Sequence, residues 1–100
     1  MNQFQMATYQ TDPKIFEEKA ELLKVLGHPV RLCIVKNLME RKSANVTQIQ
    51  NCLNAPQSTI SQHLAKLRTA GIIEGRREGT EIHYSVVDEK VKRLIEVLFS

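Results

Sequence analysis

Apolar residues recur along this chain with helical spacing in five places and with strand spacing in one. Asp12-Pro13 is a helix start, an N-cap followed by proline at the first helical position. The first helix is expected to run through Phe16, Ala20, Leu23 and Leu26, with Gly27 ending it in a left-handed cap. Pro29 opens a second helix that turns Leu32, Val35, Leu38 and Met39 inward. Val46 to Leu53 gives a short third helix with Val46, Ile49 and Leu53 inward. Asn54-Ala55-Pro56 is a tight connector, and Pro56 suits the first position of the next helix. After a strand-like segment, Asp88 caps a last helix in which Val91, Leu94, Ile95, Leu98 and Phe99 form one apolar stripe. Met1 to Thr11 is polar and Gln-rich without period, so 1-11 is expected to be a flexible arm and 12-100 one domain.

The fourth helix, from Pro56 to Arg68, carries the sharpest chemistry. At about 100° per residue Ile60, Leu64 and Leu67 share one side. Ser58, Thr59, Ser61, Gln62 and Lys66 point the other way, a face with hydroxyls, amides and a cation but no acid. Such groups hydrogen-bond base edges and phosphates, and Ala65 keeps the face thin enough for close approach. Helix, tight turn and polar-faced helix form a helix-turn-helix pattern.

Ile72 to Val86 follows as a hairpin. Ile82, Tyr84 and Val86 alternate with Glu81, His83 and Ser85, and Glu78-Gly79 is expected to make the turn. Arg76 and Arg77 then sit beside the hairpin tip, where a wing would touch a phosphate backbone. The whole is mainly α with a β-hairpin wing, in the order α-α-α-α-β-β-α.

Composition narrows the picture without deciding it. One hundred residues make one small core, and a net charge of +3 is compatible with nucleic acid. The placement of Lys66, Arg68, Arg76 and Arg77 in the helix and hairpin says more than the total. No apolar run approaches the ~20 residues of a membrane span. No basic stretch leads into an apolar one near Met1, and two cysteines lack framework spacing, so the expected location is the cytoplasm.

Three blocks of residues resemble one family in its order and spacing: Leu26-Gly27-His28-Pro29-Val30-Arg31-Leu32, Gln57-Ser58-Thr59-Ile60-Ser61-Gln62-His63-Leu64, and Arg76-Arg77-Glu78-Gly79 with Ile82-His83-Tyr84-Ser85. The chain is similar to the ArsR/SmtB winged-helix repressors over Ala20 to Phe99, and most similar to their PagR-type subgroup without metal ligands. The resemblance implies a homodimer on double-stranded DNA at an inverted-repeat operator. On that footing Gln57, Ser58, Thr59, Ser61 and Gln62 would meet bases, while Lys66, Arg76 and Arg77 would hold phosphates. It also implies pairing of the first and last helices across the dimer axis through Phe16, Ala20, Leu23, Val91, Leu94, Ile95 and Leu98, with packing inside one chain as the alternative.

The family's metal sites fail on ligand identity. Asn45 and Thr47 stand where a thiolate pair would be; Asp88 is present, but Lys90 replaces the histidine beside it. No metal or cofactor is therefore expected. Cys33 and Cys52 read as two inert core cysteines, or alternatively as a thiol redox switch. His28 reads as a turn or packing residue, His63 as a half-buried structural one, and His83 as exposed or phosphate-facing. Neither a phosphate-cradling glycine loop nor an acid-base cluster is present, which argues against an enzyme.

Overall fold

The computed structural model describes residues 8–100. Five helices and one hairpin follow in the expected order: α1 (Pro13–Leu26), α2 (Pro29–Arg41), α3 (Val46–Leu53), α4 (Gln57–Thr69), β1 (Ile73–Glu78), β2 (Glu81–Val86) and α5 (Glu89–Leu98). No helix among the described residues is long and apolar enough to cross a membrane. The expected arm falls mostly on residues outside those described. Its end, Thr8 to Thr11, makes a turn in which the Asp12 amide donates to the Thr8 carbonyl at 2.8 Å.

The core is built where the helical stripes converge. Ile34, Val35 and Leu38 of α2 meet Ile60, Leu64 and Leu67 of α4, with Ile49 of α3 and Ile72 and Ile73 at the root of the hairpin. Ile34 joins this core although the expected stripe of α2 passed it by. Between α3 and α4, Asn54 takes a left-handed conformation at φ 52°, which short polar side chains tolerate. Pro56 is the N-cap of α4 rather than its first helical residue.

Local chemistry sets the remaining boundaries. Asn45 caps α3 through a reciprocal box: its side chain accepts from the Gln48 amide, and Gln48 Oε1 accepts from the Asn45 amide, both at 2.9 Å. Asp88 Oδ1 accepts from the Val91 amide at 3.0 Å and starts α5. Gly27 is not left-handed; with φ −76° it donates its amide to the Leu23 carbonyl at 2.8 Å and leads straight into α2. The hairpin turn is Gly79-Thr80, one residue later than expected. Glu78 still pairs with Glu81, and Gly79 takes φ +65° at the first central position, the place a type II′ turn gives to glycine.

Two expected interface residues turn inward instead. Val91 is 0% and Ile95 1% exposed in the single chain, so they belong to its own core and are not available to a second subunit. They lie on the side of α5 that packs against α2. Leu94 is half-buried. Phe16, Ala20 and Leu23 of α1 and Leu98 of α5 remain exposed, Leu23 and Leu98 at 57% each. The radius of gyration, 15.6 Å, exceeds the ~13 Å usual for a compact chain of this length.

Replacing Asn45 with alanine removes the acceptor of the Gln48 amide and leaves only the backbone half of the capping box, from the residue 45 amide to Gln48 Oε1. The substitution should cost about 1 kcal/mol, read as a lower denaturant midpoint with unchanged slope. An unaltered midpoint would mean that the cap contributes nothing to α3.

Candidate nucleic-acid interface

Burial of Ile60, Leu64 and Leu67 fixes the rotation of α4 and therefore what it shows to solvent. Gln57, Ser58, Ser61, Gln62, Ala65 and Lys66 are exposed, and Thr59 is half-buried. Glu and Asp are absent from the whole helix. Its outer face thus offers amide, hydroxyl and ammonium groups to an electronegative surface, with nothing to repel a phosphate.

The hairpin is held against this unit from the α2–α3 link. Ala44 and Tyr84 exchange backbone hydrogen bonds, Tyr84 amide to Ala44 carbonyl at 2.9 Å and Ala44 amide to Tyr84 carbonyl at 3.1 Å. Asn45 Nδ2 also donates to Glu81 Oε2 at 2.9 Å, so the residue that caps α3 grips the wing as well. Sequence reasoning missed both ties. Gly75 faces Tyr84 across the ladder; a Cβ there would stand 2.9 Å from Ile82 Cγ2 and 3.1 Å from Tyr84 Cε1, so the Tyr84 ring uses the space a side chain would fill.

Register divides the hairpin into two unlike faces, because successive side chains alternate. Ile73, Gly75 and Arg77 share one face with Ile82, Tyr84 and Val86; Glu74, Arg76 and Glu78 share the other with Glu81, His83 and Ser85. Arg76 and Arg77, expected to act together, therefore lie on opposite faces. Arg76 is 3.8 Å from Glu74, an exposed pair of small energetic weight. His83 is half-buried rather than pointing freely outward, 3.7 Å from Glu78 and 3.5 Å from Glu81. Ile82, expected inward, is exposed because the core ends at Tyr84.

Behind α4, the His63 and His28 rings lie against each other with centroids 4.6 Å apart and planes tilted by 53°. His28 caps α2, its Nδ1 accepting from the Val30 amide at 3.2 Å. Burial first, then the charges of His28, Arg31 and Lys66, hold His63 below the usual imidazole value. Both histidines are structural in this sense, one as a cap and the other as packing beneath the outer face.

The positions weighed for metal are otherwise engaged. Asn45 caps α3, Asp88 caps α5, and Lys90 lies beside Lys19, whose hydrogen bond and then charge push the Lys90 amine below its ordinary value. No three His, Cys, Asp or Glu side chains converge among the described residues. Both cysteines are free thiols. Cys33 is half-buried with Asn37 Nδ2 donating to its sulfur at 3.4 Å, whereas Cys52 is exposed, not in the core, with Arg41 donating at 3.6 Å.

Comparison with known proteins agrees with this geometry. Residues 28–74 match the bacterial regulatory proteins of the arsR family. The transcriptional repressor PagR of Bacillus anthracis is 49% identical over 82 residues, 82% of each chain. Its crystal structure superposes with a TM-score of 0.77 at 48% identity, covering 83% of this chain and 94% of that one. The biofilm growth-associated repressor of Agrobacterium fabrum is 41% identical over 83 residues, 83% of this chain and 70% of its own length. Reduced HlyU from Vibrio cholerae, 32% identical, superposes with a TM-score of 0.82 over 89% of this chain and 93% of its own. These relatives are regulators and not enzymes. With a helix-turn-helix and a hairpin wing in the arrangement of these structures, the chain belongs to the arsR family of bacterial regulatory proteins.

Proposed function

We propose that this protein is a dimeric transcriptional repressor of the cytoplasm that covers a promoter by binding an inverted-repeat operator. The observation that carries this is the outer face of α4, exposed, free of acids and rich in short hydrogen-bonding groups. In the major groove Gln57, Ser58, Thr59, Ser61 and Gln62 meet base edges, Thr59 from the margin of the face. Lys66 and Arg77 hold phosphates, and Arg76 does so from the far side of the wing in competition with Glu74. The relatives named as repressors support the direction of control. Metal sensing is not part of this function, since the positions compared with the family's metal sites hold two helix caps, Asn45 and Asp88, the hydroxyl of Thr47 and the amine of Lys90.

A second copy is the partner that best suits the apolar groups left outside the core. Phe16 and Leu23 on α1, with Val97, Leu98 and Phe99 at the end of α5, are all exposed in one chain. An inverted repeat asks for two reading helices related by a twofold axis, which a symmetric pairing of these helices supplies.

Gln62→Ala and Ser58→Ala should each lower operator affinity and relax preference, by about 1–3 kcal/mol per base contact. Thermal stability should hardly change, since both side chains are exposed. Tight, selective binding by both variants in a gel shift against the protein's own promoter would remove α4 as the reading helix.

Arg76→Ala with Arg77→Ala should weaken binding to all duplexes alike and reduce the salt slope of log K by ~1–2. The larger share should come from Arg77, which has no acid on its own face of the hairpin. An unchanged slope would mean the wing stands away from the duplex.

Leu23→Glu with Leu98→Glu charges two exposed positions, so the fold should survive while the dimer does not. Sedimentation should show helical monomers with poor operator binding. A parent protein that is monomeric at micromolar concentration would overturn the dimer.

A further inference from the structure

Beside the DNA-facing side of α4, a groove of 480 Å³ opens between α1, α2 and α4. Its polar lining is Glu21, Lys24, Arg31, Lys66 and Thr69. Three cations face one carboxylate, and none of the three has an ion-pair partner among the described residues within 4.0 Å. Arg31 is also half-buried, with its Nε shut off from solvent and lacking any acceptor. That nitrogen is enclosed by protein and beyond reach from the groove, so it fixes the guanidinium in place at an energetic cost, while Arg31 still lines the groove.

We propose that this groove is a phosphate-binding site, with the Arg31 guanidinium as its anchor and Lys24 and Lys66 as flanking charges. The guanidinium fork matches the oxygens of a phosphate, and three cations against one acid leave about two positive charges, the charge of a phosphate monoester at neutral pH. The α1 residues of the groove, Glu21, Lys24 and Val25, centre about a third of a turn round the helix from Phe16, Ala20 and Leu23, so the proposed dimer leaves it open. Two sources offer this chemistry, a free phosphorylated or inorganic anion and the backbone of a bound duplex. Only the second rests on the DNA-binding function proposed above.

His63 provides an internal gauge. It faces His28 from the α1–α2 link, Arg31 from α2 and Lys66 from its own helix, and its Nδ1 is buried without a partner. An anion beside Arg31 and Lys66 offsets two of the charges that disfavour imidazolium, so loading the groove should move the His63 titration upward.

The test is an NMR titration of the full chain, following the Arg31 side-chain resonance and the His63 ring. The additions are inorganic phosphate, sodium chloride at matched ionic strength, and a short duplex. Saturable movement of Arg31 with phosphate, a raised His63 titration, and affinity about tenfold weaker in Arg31→Gln and Lys66→Gln support a free anion as ligand. Lys66→Gln is exposed and preserves the fold, so the test survives if Arg31→Gln does not fold. Movement with the duplex alone, lost in Lys66→Gln, supports the backbone as source. Equal movement with chloride, or no movement at Arg31 while Gln57 and Ser58 respond to the duplex, overturns the site and leaves the DNA-binding function standing. Saturable phosphate binding without any response to duplex keeps the site and counts against that function. Silence towards both additions overturns the two together.

Discussion

The backbone exchange between Ala44 and Tyr84 is the constraint on which the geometry of this molecule turns. A two-stranded hairpin alone is marginal in water. Here its second strand borrows two hydrogen bonds from the link between α2 and α3, at a point where Ala44 is 1% and Tyr84 8% exposed. Shielding from water makes those bonds costly to break, because the freed amide and carbonyl groups would be buried without partners. The next residue, Asn45, fixes where α3 begins and reaches Glu81 at the outer end of the same strand. Wing, linker and helix start are thus held at one corner, and the orientation of α4 relative to the wing follows from it.

The placement of α4 in turn depends on packing rather than on its polar residues. Its three inward side chains sit against α2, α3 and the base of the hairpin, and that contact decides which side chains remain outside. The cationic cluster around His63 and Arg31 lies on the margin of this contact. Burial first, and then these neighbouring charges, oppose protonation of His63 there. Packing therefore holds α2 against α4 despite the uncompensated cations at the edge of their contact.

Much of this was legible in the sequence because period and punctuation agree. The stripe of α4, the prolines that open α1 and α2, and the cap at Asp88 are local signals, and each of these elements forms where its signal stands. What escaped depends on contacts distant in sequence. Nothing in the neighbourhood of Ala44 marks it as a strand partner, and Asn45 joined to Glu81 spans thirty-six positions. The stripe of α5 was seen as one surface, yet a helix can divide it: Val91 and Ile95 face α2, while Leu98 emerges at the far end. Period identifies an apolar side but not how many neighbours share it. Likewise Arg76-Arg77 reads as a cationic pair in the sequence, and strand alternation places the two on opposite faces, Arg76 beside Glu74 and Arg77 away from any acid.

That separation gives the wing a handed electrostatic profile. Three glutamates and one arginine occupy one side of the ribbon, and the other side carries Arg77 above an apolar root. Such a ribbon is a poor general phosphate binder, since rotating it by half a turn exchanges attraction for repulsion. Approaching a polyanion, it has a single favourable roll angle. The acids thereby act as a keel, making the ribbon's attraction to any polyanion depend on its orientation.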